Sequence, residues 1–142
     1  MKTEIGNEIY LRAASCYVRM NVFVIERHLA IADEFDDQDT AETIYSVVFD
    51  ELTPVATARL LIENEQTVRI GRVATLNEYR GKNLGREVVS DLEAFAIEQG
   101  YQRSLVHAEL TAELFYQKMG YSRVGEPYDE DGVDCVTLTK AF

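Results

Sequence analysis

The feature that most constrains the fold is a change of hydrophobic period near Leu84. Residues 67–76 are rich in β-branched side chains, which predicts a strand. From Leu84 onward the apolar residues recur at helical spacing on one face, and Gly100 stands where such a helix should end. Another strand is predicted at 104–108. A strand, a helix over about 84–99 and a second strand together predict a parallel pair of strands within a mixed sheet.

The rest of the chain predicts two further helical regions and four further strands. One or two helices are expected over 8–28, and a brief helix over 112–119. Strands are expected at 43–49, 55–62, 121–124 and 135–139. The order is helix, three strands, helix, strand, helix and two strands, which predicts an α/β fold with an antiparallel meander in its first half.

Length and charge limit the classes of protein and partner that need consideration. The 142 residues suit one compact domain spanning 1–142. The formal net charge is −11, which argues against nucleic acid or an anionic membrane as a partner and fits a cationic acceptor better. The same charge also serves solubility. No apolar stretch approaches about 20 residues and no signal peptide opens the chain, so we expect a cytoplasmic protein.

Cysteines and acidic runs are the candidates for metal or redox chemistry. Cys16 and Cys135 match no metal or redox spacing, so we expect reduced thiols that pack in the fold. The acidic runs at 33–39 and 129–132 lack the glycine and distant glutamate of a calcium loop. We therefore expect no metal site, although either run remains available to a cationic acceptor.

The segment Arg80-Gly81-Lys82-Asn83-Leu84-Gly85 lies between the strand at 67–76 and the helix that follows. Backbone N–H groups at a helix start, together with the positive end of the helix dipole, suit an anion such as a diphosphate. Gly81 and Gly85 permit close approach of a ligand to the backbone. Basic side chains are concentrated here, at Arg80, Lys82 and Arg86. The Walker and dinucleotide motifs do not match, and the loop alone predicts an anion site or an unliganded turn about equally.

The segments around this loop extend the pattern to nearly the whole chain, and the sequence resembles the GNAT acetyltransferase superfamily. The signature Arg/Gln-x-x-Gly-x-Gly/Ala falls on Arg80, Asn83 and Gly85, with Asn83 in place of the usual glycine. Because asparagine tolerates left-handed backbone conformations, we expect the loop to keep its shape. Other segments resemble the family in order and spacing, at 69–75, 79–81 and 115–121. Three more resemble the ElaA-like branch, at 22–27, 34–36 and 130–133.

This resemblance implies a GNAT-like acyl-CoA N-acyltransferase fold, with helices on both faces of a central mixed sheet, and acetyl-CoA as co-substrate. It implies that the pantetheine arm lies between the strand at 67–76 and its parallel neighbour. The implied contacts to the arm come from the backbone of Val73, Ala74 and Thr75. Those to the diphosphate come from Arg80, Gly81, Lys82, Asn83, Leu84, Gly85 and Arg86. We expect the Val73 N–H to polarise the thioester carbonyl.

Acetyl transfer to an amine requires a proton acceptor, because an alkyl amine has a pKa of about 10.4 and attacks only when neutral. The candidates are His107, Glu109 and Glu26, acting directly or through water; for Glu26, an ion pair with an arginine is an equal alternative. An isolated histidine on a strand, such as His107, is also compatible with a purely structural role. Tyr116 occupies the position where many family members carry a tyrosine that donates a proton or a hydrogen bond to the departing thiolate, although an aromatic residue there would otherwise suggest core packing.

The leading hypothesis is an N-acetyltransferase that acts on a primary amine of a small molecule or peptide, by direct attack in a ternary complex. Neither cysteine lies in a nucleophile motif, so no covalent intermediate is expected. A non-catalytic acyl-CoA-binding regulatory module is the alternative from another class. An acyl transfer of the homoserine-lactone type is a third reading. Family habit favours a homodimer.

Overall fold

The structure is a computed structural model that describes residues 1–142. Its strands are β1 (Lys2–Gly6), β2 (Ile44–Asp50), β3 (Thr53–Ile62), β4 (Thr67–Thr75), β5 (Arg103–Glu109), β6 (Ser122–Glu130) and β7 (Val133–Ala141). Its α-helices are α1 (Ile9–Arg19), α2 (Ile31–Glu34), α3 (Leu84–Glu98) and α4 (Glu113–Lys118). Helix α1 continues directly into a π-helical segment, Met20–Glu26. None of the helices has the length and apolar character that crossing a membrane requires.

All seven strands form a single sheet in the order β1-β2-β3-β4-β5-β7-β6. Every neighbouring pair is antiparallel except β4 and β5, which run parallel. The helix between those two strands is α3, because parallel neighbours need a crossover connection. The mixed sheet and the parallel pair predicted from the change of period are therefore confirmed.

Helices cover both faces of the sheet. On one face, α3 places Val88, Leu92 and Ala96 in the main core, where all three side chains are fully buried. Burying a side chain such as Leu92 stabilises the fold by roughly 1.5–3 kcal/mol. On the opposite face, α1 packs Leu11 against Tyr45 of β2. The apolar stripes read from the sequence thus face the sheet, as a mixed fold requires.

Two features of the ends of the sheet differ from the sequence-based prediction. Strand β1 is not predicted at all, because Lys2–Gly6 contains two charged residues and a glycine and has a weak local preference. Pairing with β2, for example Ile5 opposite Ser46, creates the strand. Strand β6 runs on to Glu130 beyond the predicted end at 124, through a register shift around Gly125 and Pro127. A bulge of this kind interrupts the alternation of side chains along a strand, so the alternating pattern does not predict the full length of the strand.

Candidate active site

The parallel strands β4 and β5 pair only at their beginnings. Thr67, Val68 and Arg69 of β4 lie opposite residues 103–105, and no later residue of β4 pairs with β5. On its other side, β4 contains a bulge: Thr57 and Arg59 of β3 lie opposite residues 74 and 71. The bulge bends β4 away from β5. A gap therefore opens within the sheet.

A positive backbone angle lies at the centre of this bulge. Arg72 has φ of 52°, a conformation that non-glycine residues adopt rarely and that is typical of functional sites. The residue that follows it, Val73, borders the gap.

The gap contains a cavity of about 360 Å³, which we call the inner cavity. Val73 of β4, Ala108 and Glu109 of β5 and Tyr116 of α4 all line it. Ala74, by contrast, is buried against α1 and the π-helical segment, and the carbonyl of Thr75 accepts a hydrogen bond from Arg80. Of the three strand residues predicted to contact the pantetheine arm, Val73 is the one that borders the cavity.

The predicted phosphate loop has the backbone of an anion site. Asn83 has φ of 61° and ψ of 23°, so the expected left-handed conformation is present, and Gly81 has φ of 81°. No backbone N–H from Gly81 to Arg86 has an acceptor within the protein; the first helical bond is donated by Glu87 to Asn83, at 3.1 Å. These N–H groups lie at the positive end of the α3 dipole, so the loop can bind an anion.

The side chains of this loop differ in their burial and in their contacts. Leu84 is buried in the main core, which fixes the start of α3. A Cβ at Gly85 would lie 3.7 Å from the Phe115 ring, an ordinary van der Waals distance, which places the start of α3 against α4. The Lys82 ammonium lies 5.1 Å from the centre of the Tyr79 ring. Arg86 is exposed and makes no ion pair.

Arg80 turns back from the loop towards the π-helical segment. Its guanidinium donates two hydrogen bonds to the Glu26 carboxylate, of 2.7 and 2.9 Å. The hydrogen bonds from Arg80 hold the pKa of Glu26 below its usual range. A carboxylate with a lowered pKa is a weaker proton acceptor. Of the two readings of Glu26 that the sequence left open, the geometry favours the ion pair with an arginine.

The other two candidate bases differ in their partners. Glu109 forms an ion pair with Arg27. His107 makes no ion pair, and its Nδ1 atom lies 3.1 Å from the Thr137 hydroxyl and 3.3 Å from the Tyr128 hydroxyl. Two hydroxyls on Nδ1 leave Nε2 without a partner in the protein. His107 and Glu109 both border the inner cavity, and His107 is the better placed because no ion pair engages it.

Tyr116 lies at the inner cavity with little contact with solvent. Its side chain is 7% exposed, and its ring meets Phe115 and Tyr121 edge to face at 4.9 and 5.6 Å. Burial raises its pKa to about 12. The phenol therefore stays protonated at neutral pH and is available to donate a proton.

An ion-pair network behind the site is not predicted from the sequence. The acidic run at 33–39 turns inward: its carboxylates pair with arginines from α1, β3 and β4. The participants are Glu34, Asp36 and Asp39 with Arg19, Arg59 and Arg72. One available signal was Arg19, which lies within the apolar stripe of α1 and needs an acidic partner when buried. Three of the five carboxylates in the run are thus paired with arginines, and Asp33 and Asp37 are not.

Two of these carboxylates have opposite pKa shifts. Burial alone would raise the pKa of Asp39, but hydrogen bonds from Arg19 and Tyr45 and the positive charge of Arg59 outweigh it, and the pKa lies well below its usual range. For Glu34 burial dominates and raises the pKa, despite its hydrogen bond from Arg19. Asp39 therefore stays ionised at a lower pH than Glu34 does.

A mixed sheet that opens beside a helix start with unpaired N–H groups is the arrangement of the acyl-CoA N-acyltransferase fold. The GNAT acetyltransferase domain model matches residues 15–142. An uncharacterised acetyltransferase from Streptococcus pyogenes is 38% identical over 112 residues, 79% of this chain and 77% of that protein. A crystal structure from Lactobacillus plantarum, of a protein assigned as an N-acetyltransferase, is 36% identical with a TM-score of 0.94, over 99% of this chain and 97% of its own.

These matches show the family: the chain belongs to the GNAT acetyltransferases, and its class of activity is acyl transfer. Escherichia coli ElaA shares the fold at 24% identity, with a TM-score of 0.84 over 98% of each chain. Other structures with this fold hold acetyl-CoA or coenzyme A. The family resemblance noted in the sequence is confirmed.

Proposed function

We propose that this protein transfers the acetyl group of acetyl-CoA to a primary amine of a small molecule or peptide. The observation that carries the proposal is the gap between β4 and β5, which opens at Val73 beside the unpaired N–H groups of Gly81 to Arg86. A cofactor with a diphosphate at one end and a thioester at the other fits this combination. The pantetheine arm would lie in the gap, and the diphosphate on the loop.

The residues around the inner cavity supply the chemistry of direct attack. The neutral amine attacks the carbonyl carbon of the thioester, and the Val73 N–H stabilises the developing oxyanion. His107 takes the proton that the amine loses, directly or through water. When the carbon–sulfur bond breaks, the Tyr116 phenol donates a hydrogen bond or a proton to the departing thiolate. The proton that His107 took from the amine then returns through water, to the thiolate or to Tyr116, so that both side chains are restored for the next turnover.

Tyr116→Phe tests this assignment. We expect kcat to fall by about tenfold to a hundredfold at saturating acetyl-CoA, because the thiolate loses its proton donor, while the Kd of acetyl-CoA stays near its original value. Thiol release measures kcat, and calorimetry measures Kd. Tyr101→Phe is the matched control, because that ring lies beyond the end of α3 and outside the cavity. An unchanged kcat in Tyr116→Phe would remove the role given to this phenol.

The same assays separate the enzyme from a non-catalytic acyl-CoA-binding module. A thiol-release screen against polyamines, aminoglycosides, amino acids and peptides should give release that depends on the added amine. Binding of acetyl-CoA with no release from any amine would favour the module. His107, which carries no ion pair, and the buried Tyr116 support the enzyme. The cytoplasmic location, the homodimer and the cationic acceptor stay predictions.

A further inference from the structure

A second cavity lies next to the inner one, and we call it the outer cavity. Its volume is about 560 Å³. Gly71, Arg72, His107 and Glu130 line both cavities, so the two meet along this boundary. A Cβ added at Gly71 would have no atom within 4 Å, which shows that the passage is open at this residue. An acceptor placed in the outer cavity can therefore reach the thioester from the side away from Tyr116.

The outer cavity contains one guanidinium that the protein engages only weakly. Arg69 makes no hydrogen bond within the chain, and its nearest acidic group is Glu63, with 3.7 Å between Nε and a carboxylate oxygen. Both side chains of that pair are partly exposed, so the contact is weak. Arg59 and Arg72 differ, because the acidic run holds them. Arg69 therefore has donors available for a ligand.

Arg59 also lines the outer cavity and adds a second positive charge there. Its side chain is 4% exposed, and its Nε atom is buried away from the cavity, so Arg59 acts on a ligand through its charge and not through that donor.

An unpaired carboxylate lies at the boundary between the cavities. Glu130 has no hydrogen-bond or ion-pair partner in the protein and borders both of them, whereas Arg69 borders only the outer one. A molecule with an amine at one end and an anion at the other is thus oriented by charge. Its amine lies near Glu130 and His107, and its anion lies near Arg69.

We infer that the acceptor is a primary amine that carries a carboxylate several carbon atoms away, with Arg69 as the residue that binds the carboxylate. This inference rests on the proposed acetyl transfer. Arg69 lines only the outer cavity and Val73 only the inner one, so the carboxylate and the reacting amine bind at separate points, which favours a carboxylate set apart from the amine. A guanidinium binds a carboxylate with two parallel hydrogen bonds. A doubly charged phosphate fits less well, because the carboxylates of Glu130 and Asp36 face the same space.

Two matched amines test this inference directly. ε-Aminocaproate and n-hexylamine have the same amine and the same chain length, and only the first carries a carboxylate. We expect kcat/KM to be about tenfold or more higher for ε-aminocaproate, since hydrogen bonds to a charged group stabilise binding by roughly 1.5–3 kcal/mol. In Arg69→Met this preference should fall to about one. Arg103→Met, which removes an exposed arginine from β5 outside both cavities, should keep it.

Binding measured without turnover keeps the two proposals distinguishable. Titration of the unliganded and the acetyl-CoA-bound protein with ε-aminocaproate, followed by NMR, should give a Kd that rises about tenfold or more in Arg69→Met. If neither amine is acetylated but this Arg69-dependent binding is found, the acetyl transfer to such amines fails and the carboxylate site stands. Equal preference in the original protein and in Arg69→Met, or binding that Arg69→Met leaves unchanged, would overturn the inference.

Discussion

Asn83 shows how a single residue fixes the shape of the proposed cofactor site. It holds the left-handed conformation from which α3 begins, and its side chain makes no capping hydrogen bond. The residue therefore acts through its backbone. This explains how asparagine replaces the glycine of the family signature, since both residues adopt this conformation more readily than other amino acids do.

The effect of a substitution at Asn83 should depend on how readily the new residue adopts a positive φ, and not on the chemistry of its side chain. Asn83→Gly should keep or tighten the affinity for acetyl-CoA, because glycine adopts a positive φ without strain. Asn83→Ala should lower the free energy of unfolding by about 1 kcal/mol, as the Cβ disfavours this conformation, and should weaken acetyl-CoA binding. Calorimetry and urea unfolding measure the two effects. A large loss of affinity in Asn83→Gly would mean that the amide side chain itself contacts the cofactor.

At the scale of elements, the acidic run and α1 are joined to the sheet by the buried ion-pair network. Asp39 is its central carboxylate: it accepts hydrogen bonds from Arg19, Arg59 and the Tyr45 hydroxyl. Removal of one partner from such a network leaves uncompensated buried charge, which is more costly than loss of an exposed pair. The network also holds Arg72 at the bulge, so the gap depends on it.

Asp39→Asn should lower the free energy of unfolding by about 3 kcal/mol at pH 7, because Arg19 and Arg59 lose the carboxylate between them. Asp37→Asn makes the same chemical change two residues away on an exposed side chain and should change it by less than about 0.5 kcal/mol. Urea unfolding measures both values. Similar losses in the two variants would contradict the network's role.

Because the pKa of Asp39 is lowered, the stability that this network contributes depends on pH. The native state binds this proton less tightly than the unfolded state, whose aspartate has a pKa of about 3.9. The stabilisation is therefore complete above that pH and is lost as the pH falls below it. Asp39→Asn should remove part of this acid sensitivity, as urea unfolding between pH 5 and about pH 3 would show.

The elements that the sequence predicts well are those whose own residues determine them. Helix α3 combines an apolar stripe with a stop at Gly100, and the predicted bounds of 84–99 match the observed helix to within a residue. Strand β1 and the inward turn of the acidic run depend on distant partners, β2 and three arginines. Local pattern does not contain that information. The family resemblance implied a gap beside β4, but no sequence motif predicts the bulge in β4 that opens it.

For the candidate site, the sequence predicts the loop at 80–85 from its local pattern and Tyr116 from the family resemblance. The ion pair of Arg80 with Glu26 and the weak pairing of Arg69 are evident only in the three-dimensional structure. Charge partners meet across elements that are far apart in the sequence. The choice among His107, Glu109 and Glu26 therefore needed the three-dimensional contacts.

At the scale of the whole molecule, the two cavities adjoin each other beside the opened strands. Val73 and Tyr116 line the inner cavity and Arg69 lines the outer one, while the loop approaches the inner cavity at Gly85, where an added Cβ would lie 3.9 Å from the Val73 side chain. Cofactor and acceptor can then occupy the protein together, which direct attack requires. Cys135 also borders the inner cavity, but burial raises the pKa of its thiol and disfavours the thiolate that a covalent route would need.

The destination of the acetyl group tests the central claim most directly. Isotope-labelled acetyl-CoA and an amine panel that includes ε-aminocaproate would be incubated with the protein, and mass spectrometry would follow the label during turnover. The account predicts labelled N-acetylated amine in equal amount to the free coenzyme A released, with no label on the protein. Label held on Cys135, or label that stays on coenzyme A with every amine, would contradict it.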